Sequence, residues 1–567
     1  MIAETSFQAD RIQSELVSYP SRGRGRIVAY LDREPGAPAD RPWVVMAPKY
    51  GETKKNNLKL AYLLAANGLN VLRFDLTNHV GESDGRMEDF TMPGAVEDLL
   101  SSLDYLGREH GGREFVVVSS SLSSRCAIRA AVLDRRIVKL VCIVGVVNLH
   151  ATLAEVYRED IFGTFLDGRR WGVTDILGFD INGVTFLSTA VEAKLHDLDG
   201  TIADVGRLKV PLVYFFAERD TWVRYDEVKR VFAGRPQVAL VPIKGAMHEV
   251  RENPRAADEV FQQVVWACRE PGPFPAGGMA LTLPDNRLVL AQNRRERERL
   301  KRAEPAAEAE SEFWAAYLTK FSLLEKSEDY RAYLELVGRL IGPLPPGALV
   351  LDAGCGNGLF GLWVLREALE RRPTASVLPP VYVGLDLTAA GLADASGRHA
   401  AVRAHHAQRR GPRAAGPPPG LAYGLADFEQ LAPDGAPPEP LPFADNCFDV
   451  ICCSLVLSYL KQPQALLREL QRVLRPSGTL VLSSMKPFCD MSVIYRDFIS
   501  QQVTAEDVEA ARNLLRAAGH IKLKEEKGYY AFFSEEELAE LTRAAGLRVA
   551  SVHRSLGDQA NVIKALK

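Results

Sequence analysis

The sequence lacks several features that would assign it to a common class. Its 567 residues carry a formal net charge of -3, so the chain has no overall positive charge that would attract nucleic acid or anionic lipid. The eight cysteines include no CxxC pair and most lie in apolar runs, which predicts a reduced, cytoplasmic protein with no metal site. The longest apolar runs, such as LVCIVGVVNL, reach only about ten residues, too short for a membrane span.

A secretory signal is also missing from the N-terminal residues, MIAETSFQADRIQSEL. This stretch is polar and partly acidic, and it contains neither the basic segment nor the apolar segment of such a signal. We therefore expect no signal peptide, in agreement with a cytoplasmic location.

Short apolar runs alternate with helix-like segments in two separate blocks. The first block begins near Gly25 and includes RPWVVMAP, GLNVLRFDL, EFVVVSSS, VKLVCIVGVV and VPLVYFFAE. The second begins near Ala348 and includes ALVLDAGCG, PVYVGLDL, CFDVICCSL and GTLVLSSM. Buried parallel strands are continuous apolar runs of this kind, and their alternation with helices implies βαβ crossovers. The predicted fold class is α/β, with two doubly wound domains.

Two polar stretches lie outside these runs. NRRERERLKRAEPAAEAESEF, which separates the blocks, is charged and contains one proline, and we predict an exposed helix plus a linker rather than a binding patch. RAHHAQRRGPRAAGPPPG, residues 403–420, is rich in Pro, Gly and Arg and is predicted to be a disordered insertion in the second domain. Its histidines, His405 and His406, lack partner ligands at metal spacing.

A cluster of serines ends one of the apolar runs. In FVVVSSSLSSRCAIRAA, three valines lead directly into the serines and then into an alanine-rich, helix-like run. The nucleophile of an α/β-hydrolase lies on such a strand-to-helix turn, between small residues that are usually glycine, as in GxSxG. Here serine occupies both small positions around Ser121, and the glycine signature is absent. Capping of the helix by Ser123 or Ser124 is the alternative use of the cluster, and the serines alone leave both uses open.

The partners that a nucleophilic serine needs follow in the order typical of this fold. The run VPLVYFFAERDTWV reaches Asp220, and the short strand in VALVPIKGAMHEV is followed by a glycine turn and His248. A histidine base oriented by an acid would complete a catalytic triad with Ser121. Two backbone N–H groups are expected to bind the oxyanion, one from Leu122 and one from Tyr50 in the loop after WVVMAP.

The first 300 or so residues resemble the acyl-transferase subunit of bacterial bioluminescence operons, a thioesterase with an α/β-hydrolase fold that releases fatty acyl groups from acyl carrier protein. The segments that match in order are LAANGLNVLRFDLTNHVGESDG, DFTM, SSLSSR, VGVVNLHATL, AERDTWV and GAMHEVRENP. That family also has a serine-flanked nucleophile, and its triad falls by position on Ser121, Asp220 and His248. The resemblance extends through NRRERERLKR and implies a domain over residues 1–302, with a cap at about 150–203 over the acyl pocket.

A second glycine-rich turn lies in ALVLDAGCGNGLFGLWVL. A dinucleotide-binding fingerprint would require a third glycine at the position of Leu359, so no pyrophosphate is implied. The next apolar run, PVYVGLDL, reaches Asp386, and an acid at this position can accept hydrogen bonds from both ribose hydroxyls.

The loop pattern DxGxGxG resembles motif I of class I S-adenosylmethionine-dependent methyltransferases, which have a Rossmann-like fold. Further segments that match this family are YGLADFEQLAPDG, LPFADNCFDVICCSLVLSYL, ELQRVLRPSGTLVLSS and FFSEEELAELTRAAGLRVASV. The resemblance implies a linker over 303–311 and a methyltransferase domain over 312–567. It also implies that the cofactor S-adenosyl-L-methionine binds at Asp352, Gly354, Gly356, Gly358, Asp386, Asp427, Phe428 and Ser454.

The sequence thus predicts a bifunctional cytoplasmic enzyme. A serine thioesterase or acyltransferase that acts on an acyl thioester, such as acyl carrier protein holds, is followed by a methyltransferase that acts on a small-molecule acceptor in lipid or secondary-metabolite biosynthesis. No readable motif encodes the methyl acceptor. FWAAYLTKFSLLEKSEDYRAYL is a candidate to close over the cofactor, with core packing expected for most of its aromatic residues. The alternative is a methyltransferase whose N-terminal half is a catalytically silent hydrolase scaffold that docks a carrier protein or another partner.

Overall fold

The computed structural model describes residues 12–22, 25–36, 42–270, 280–303, 310–321, 326–370, 378–410, 418–431, 439–489 and 505–567. The chain divides into two compact units, Met1–Arg302 and Ala303–Lys567. Each unit is built around a largely parallel sheet with helices between its strands, which confirms the predicted α/β fold class.

The first unit contains an eight-stranded sheet and a separate hairpin. Its strands are β1 Gln13–Ser21, β2 Gly25–Arg33, β3 Trp43–Met46, β4 Val71–Phe74, β5 Phe115–Ser120, β6 Ile137–Ile143, β7 Val173–Ile176, β8 Phe179–Asn182, β9 Leu212–Ala217 and β10 Val238–Ile243. The sheet order is β1-β2-β4-β3-β5-β6-β9-β10, and β7 pairs with β8 in a separate two-stranded sheet. All neighbours from β4 to β10 are parallel, whereas β2 is antiparallel to both β1 and β4. This order is the one expected of the predicted α/β-hydrolase fold.

Helices cover this sheet on both faces. They are α1 Leu58–Ala66, α2 Met92–His110, α3 Leu122–Leu133, α4 Leu149–Tyr157, α5 Ile161–Leu166, α6 Gly183–Glu192, α7 Leu198–Arg207, α8 Tyr225–Phe232, α9 Pro254–Arg269 and α10 Asn286–Ala303. α1 and α9 bury residues such as Leu64 and Val264 against Val71 of the sheet. Local sequence fixes the helix ends: in α2 the Thr91 side chain accepts a hydrogen bond from the N–H of Gly94, and Gly111 ends the helix with φ +66°.

The segment predicted as a cap, at about 150–203, lies between β6 and β9. This segment contains α4, α5, the β7–β8 hairpin, α6 and α7. The predicted end at residue 203 falls inside α7, which packs against α3 and α8. A buried ion pair joins α7 to α3: Arg125 of α3 donates to Asp204 of α7 at 2.7 Å. α7 therefore lies in the helical layer of the sheet.

The first part of the charged stretch lies in α10, at the end of the first unit, and this helix is more buried than predicted. Val289 and Leu300 are buried, and the guanidinium of Arg299 donates to the Glu82 carboxylate at 2.7 Å. The stretch was expected to be solvated because of its charge, but its few apolar residues and Arg299 fix one side of it to the unit. Residues 304–309 lie outside the described residues, and the next helix begins at Glu310.

The second unit contains a seven-stranded sheet. Its strands are β11 Leu349–Ala353, β12 Val381–Asp386, β13 Gly420–Leu425, β14 Phe448–Cys453, β15 Leu474–Met485, β16 Arg548–Ser555 and β17 Ala560–Leu566. The order is β13-β12-β11-β14-β15-β17-β16, with β17 antiparallel to both of its neighbours. The other pairs are parallel. The strand order reverses beside β11, and ligands bind at such switch points in open α/β sheets.

The helices of the second unit are α11 Glu310–Phe321, α12 Glu328–Ile341, α13 Leu359–Glu370, α14 Ala389–Arg410, α15 Pro463–Val473, α16 Ala505–Glu526 and α17 Glu535–Ala544. α14 includes the first eight residues of the segment that was predicted as a disordered insertion over 403–420. These residues contain no glycine or proline, so nothing in them stops the helix before Gly411. Residues 411–417 lie outside the described residues. Within the described chain, no helix combines the length and apolarity that a membrane span requires.

Candidate functional site

Four of the predicted site residues of the first unit follow parallel strands of its sheet. Tyr50 follows β3, Ser121 follows β5, Asp220 follows β9 and His248 follows β10. Because the carboxyl ends of parallel strands meet at one edge, the fold brings residues that are distant in sequence to the same place.

Ser121 occupies a strained turn between β5 and α3. Its backbone has φ +52° and ψ -128°, a conformation that residues with a side chain rarely adopt. The turn is held by the Ser121 N–H, which donates to the Ile143 carbonyl at 3.1 Å, and by the Val146 N–H, which donates to the Ser121 carbonyl at 2.9 Å. This strain is typical of a nucleophile elbow, where a sharp turn presents the serine hydroxyl at the top of the sheet.

Ser121, His248 and Asp220 form a continuous hydrogen-bonded chain. The Ser121 Oγ lies 2.8 Å from His248 Nε2, and His248 Nδ1 lies 2.9 Å from Asp220 Oδ2. All three side chains are buried. A carboxylate only accepts hydrogen bonds, so Nδ1 carries the proton and the Nε2 of the neutral ring accepts from the serine hydroxyl.

The Asp220 carboxylate is fixed on both of its oxygens. Oδ1 accepts from the backbone N–H groups of Trp222 at 2.8 Å and Val223 at 3.1 Å, while Oδ2 faces His248. Burial alone would raise the pKa of this carboxyl, but His248 and the two backbone donors together lower it below its ordinary value. Asp220 is therefore ionised at neutral pH and orients the imidazole.

The two predicted oxyanion donors remain available in the structure. Among the described residues, no acceptor is bonded to the backbone N–H of Leu122, the first residue of α3, or to that of Tyr50. Both residues are buried. The phenol of Tyr50 is engaged elsewhere, since its hydroxyl donates to the Ile176 carbonyl at 3.0 Å.

The sequence did not predict several neighbours of this hydrogen-bonded chain. The indole of Trp222 stacks on the His248 ring with centroids 4.6 Å apart and planes 10° apart. Next to His248, Glu249 accepts from Lys49 Nζ at 2.7 Å, and both residues line a cleft beside the triad. Trp222 stands two residues after Asp220 in the quoted motif, but its stacking depends on how two loops meet, which no spacing reveals.

In the second unit, the predicted glycine loop connects β11 to α13 and lies against β12. The N–H groups of Gly354 and Cys355 both donate to the Leu385 carbonyl at 2.8 Å. Gly354 has φ +83° and Gly358 has φ +82°. A Cβ on Gly354 would lie 2.1 Å from Val456 Cγ2, and one on Gly358 would lie 2.7 Å from Ala395 Cβ, so both positions require glycine.

Two predicted acidic residues lie at this loop. Asp386 Oδ2 accepts from the Gly356 N–H at 2.8 Å, and Asp386 Oδ1 accepts from the N–H and the hydroxyl of Thr388. Asp352 is buried at the end of β11 and accepts from the Tyr382 hydroxyl at 2.7 Å. Burial, with a smaller contribution from Asp386, raises the pKa of Asp352 to about 7.

The remaining predicted residues lie at the same edge of the second sheet. Asp427 and Phe428 follow β13, where Leu425 pairs with Asp386. Asp427 accepts from the Glu429 N–H at 3.0 Å, whereas the Phe428 ring is mostly buried in the core. Ser454 follows β14, and its hydroxyl lies 2.6 Å from the hydroxyl of Tyr333.

One buried donor at this edge of the sheet is available to a ligand. Asn357 is buried within the glycine loop, and its Nδ2 has no hydrogen-bond partner among the described residues. An unpaired buried donor is costly, so this amide can serve a ligand acceptor. α11 lies close to the glycine loop, because Leu318 Cδ2 is 3.1 Å from the position that a Cβ on Gly356 would occupy.

Comparison with known protein families assigns the two halves separately. Residues 38–268 match the family described as "Acyl transferase", and residues 325–552 match the family described as "Methyltransferase domain".

Individual relatives match the N-terminal half. An acyl transferase from Photobacterium phosphoreum is 30% identical over 227 residues, which cover 40% of this chain and 74% of the relative. One from Photobacterium leiognathi is 31% identical over 242 residues, which cover 39% of this chain and 75% of the relative.

Solved structures of esterases are similar to the same half at low identity. Est1E from Butyrivibrio proteoclasticus with ferulic acid bound is 19% identical and covers 45% of this chain and 96% of its own, with a TM-score of 0.36. The esterase Pf2001 from Pyrococcus furiosus is also 19% identical, covers 45% of this chain and 91% of its own, and has a TM-score of 0.33.

Proposed function

Because the chain belongs to the acyl transferase family through its N-terminal half and carries a methyltransferase domain in its C-terminal half, we propose that it is a bifunctional cytoplasmic enzyme. The first activity transfers the acyl group of a thioester, such as one on acyl carrier protein, to water or to another acceptor. The second transfers a methyl group from S-adenosyl-L-methionine to a small-molecule acceptor in lipid or secondary-metabolite biosynthesis.

The observation that supports the acyl transfer most strongly is the hydrogen-bonded chain from Ser121 through His248 to Asp220, with Ser121 on a strained turn. Ser121 Oγ attacks the thioester carbonyl while His248 Nε2 takes the hydroxyl proton. The amides of Tyr50 and Leu122 donate to the oxyanion that forms, and Asp220 stabilises the imidazolium.

The tetrahedral intermediate first collapses to the acylated serine, and a second acceptor then removes the acyl group. The C–S bond breaks, His248 returns the proton to the thiol sulfur, and the thiol leaves. Water or an alcohol then loses a proton to His248 Nε2 and attacks the acyl ester. The ester C–O bond breaks, and His248 returns this proton to Ser121 Oγ. The same residues therefore serve both hydrolysis and transfer, and access of the second acceptor decides between them.

In the second unit, the residues that would hold S-adenosyl-L-methionine are the glycine loop from Asp352 to Gly358, together with Asp386, Asp427, Phe428 and Ser454. When bound, this cofactor supplies an electrophilic methyl group. The loop presents the Asn357 amide, and Asp386 offers carboxylate lone pairs to ribose hydroxyls. Since no general base is assigned here, we expect an acceptor that is already nucleophilic, such as a carboxylate or phenolate.

A fluorophosphonate probe separates this proposal from a catalytically silent hydrolase scaffold. The probe should add one phosphonyl group to the full-length chain, and peptide mass spectrometry should locate it on Ser121. Ser121→Ala should abolish labelling, and the control Ser124→Ala should retain it. A parent chain that stays unlabelled would favour the silent scaffold, which binds a carrier protein or partner without acyl chemistry.

A further inference from the structure

Ser123 stands where the usual elbow of α/β-hydrolases has its second glycine, and its side chain has a definite partner. The Ser123 Oγ donates a hydrogen bond to the carbonyl of Pro48, across 75 positions in sequence. Both residues are buried. Pro48 belongs to the segment Pro48–Glu52 that follows β3, which we call the oxyanion loop because it carries the Tyr50 amide. A glycine at position 123 could not make this bond.

Other hydrogen bonds of the oxyanion loop lead to residues outside α3. The Gly51 N–H donates to His79 Nε2 at 3.0 Å, and the Tyr50 hydroxyl donates to the Ile176 carbonyl. Lys49 pairs with Glu249. Within the described chain, the bond from Ser123 is the one hydrogen bond that joins this loop to α3, whose first residue supplies the Leu122 amide.

We propose that Ser123 is a positioning residue that sets the distance between the two oxyanion donors. The inference rests on the proposed serine mechanism. One donor, the Leu122 N–H, moves with α3, and the other, the Tyr50 N–H, moves with the oxyanion loop. The Ser123 hydroxyl ties the two elements together one residue away from the first donor. The serine at the usual glycine position therefore fixes the oxyanion loop to α3.

Loss of the Ser123–Pro48 hydrogen bond should weaken stabilisation of the transition state rather than binding of the substrate. Donors of an oxyanion hole act on charge that develops only after Ser121 attacks, and a small displacement weakens them strongly. Ser123→Ala and Ser123→Gly should lower kcat on an acyl thioester by roughly 10- to 100-fold, while KM changes by less than about 3-fold.

The test uses the full-length chain, with Ser123→Ala, Ser123→Gly and the control Ser102→Ala. Ser102 is also a buried helical serine whose hydroxyl donates to a backbone carbonyl, that of Asp98 at 2.9 Å, and it lies in α2, outside both α3 and the oxyanion loop. Besides kcat and KM, we measure inhibition by a trifluoromethyl ketone analogue of the acyl chain, which forms a tetrahedral adduct with a reactive serine.

The expected result is that ketone affinity falls by the same factor as kcat in both Ser123 variants and is unchanged in Ser102→Ala. If Ser123 had a purely structural role, its variants would lose activity only in proportion to the loss of folded protein. The kcat per serine labelled by the fluorophosphonate probe would then be unchanged. That outcome, or an unchanged kcat in Ser123→Gly, overturns the proposal. Failure of the serine mechanism itself is recognised separately, because Ser121→Ala would then keep full turnover.

Discussion

Asp220 has a partner for each oxygen, and this determines what an amide can do in its place. Oδ1 accepts from two backbone N–H groups, and Oδ2 accepts from His248 Nδ1. An asparagine must keep its carbonyl oxygen toward the two backbone donors, so its NH₂ group faces His248. Nδ1 then has to be an acceptor, the proton moves to Nε2, and Ser121 loses its base.

Asp220→Asn should therefore lower the single-turnover rate of acyl release by roughly 10³- to 10⁴-fold without unfolding the chain. Asp226→Asn, a change of the same kind at an exposed residue of α8, should have no effect. Rapid-quench measurement of acylation and deacylation checks the rates. A loss below about 10-fold would mean that the tautomer of His248 is not set by Asp220.

Asp352 is a second residue whose protonation has a measurable consequence. Its pKa is about 7 in the folded chain, and that of an aspartate in an unfolded chain is about 3.9. The folded state thus holds a proton that the unfolded state releases between these values. The stability contributed by this site is present at low pH and decreases as pH rises toward 7.

Asp352→Asn removes this dependence, since an amide at this position can still accept from the Tyr382 hydroxyl. We expect the variant to match the parent near pH 4 and to be more stable by on the order of 2–4 kcal/mol at pH 8. Chemical denaturation of the methyltransferase unit within the full chain, followed from pH 4 to pH 8, measures the difference. A constant offset between the two proteins across this range would contradict the assignment.

Among the elements, apolar runs predicted the central parallel strands, such as β5, β6 and β11, because these strands are almost completely buried. β1 was not predicted: its residues are mostly exposed or half-buried, so the sequence QSELVSYPS contains no apolar run. The order serine, acid, histidine pointed to three residues that the structure joins by hydrogen bonds, because each follows a strand of the same sheet. The Ser123–Pro48 bond and the Trp222 stacking could not be predicted, because both join loops whose paths depend on the completed fold.

The contact of Glu82 with α10 should make the stability of the first unit depend on pH. Glu82 accepts from Arg299 of α10 and from Lys54 Nζ at 2.6 Å. Burial alone would raise the pKa of Glu82, but the Arg299 hydrogen bonds and the Lys54 charge lower it to about 2. The folded pKa is below the unfolded one, so this stabilisation is present above about pH 4.5 and is lost as pH falls toward 2.

Glu82→Gln should cost on the order of 1–3 kcal/mol of stability at pH 7 and very little at pH 2. It should also increase hydrogen exchange in α10. Glu298→Gln makes the same charge change on the exposed face of α10, where a surface pair with Lys301 contributes little. Equal destabilisation by the two variants at pH 7 would show that Glu82 does not anchor the helix.

For the whole molecule, the two sets of site residues belong to different units, each with its own sheet. We therefore expect the two activities to be separable by single substitutions. Ser121→Ala should abolish thioester turnover and leave S-adenosyl-L-methionine affinity unchanged. Asp386→Ala should weaken that affinity by about 1–3 kcal/mol, because it leaves the Gly356 and Thr388 donors unpaired and removes the ribose acceptor.

Calorimetric titration and a thioester assay on both variants test this separation. Asp394→Ala, at an exposed acid of α14 paired with Arg398, is the control for the second unit. A large loss of cofactor affinity in a folded Ser121→Ala chain, or a loss of thioester turnover in a folded Asp386→Ala chain, would contradict independent sites.

Trapping the acyl group on the chain tests the proposed role of Ser121 as the nucleophile most directly. The full-length protein is mixed with an excess of acyl thioester, quenched in acid within the first turnovers, and analysed by intact and peptide mass spectrometry. We expect one acyl group on Ser121 that appears before free acid and is absent in Ser121→Ala. Turnover that continues in Ser121→Ala, or an acyl group located on any other residue, would contradict it.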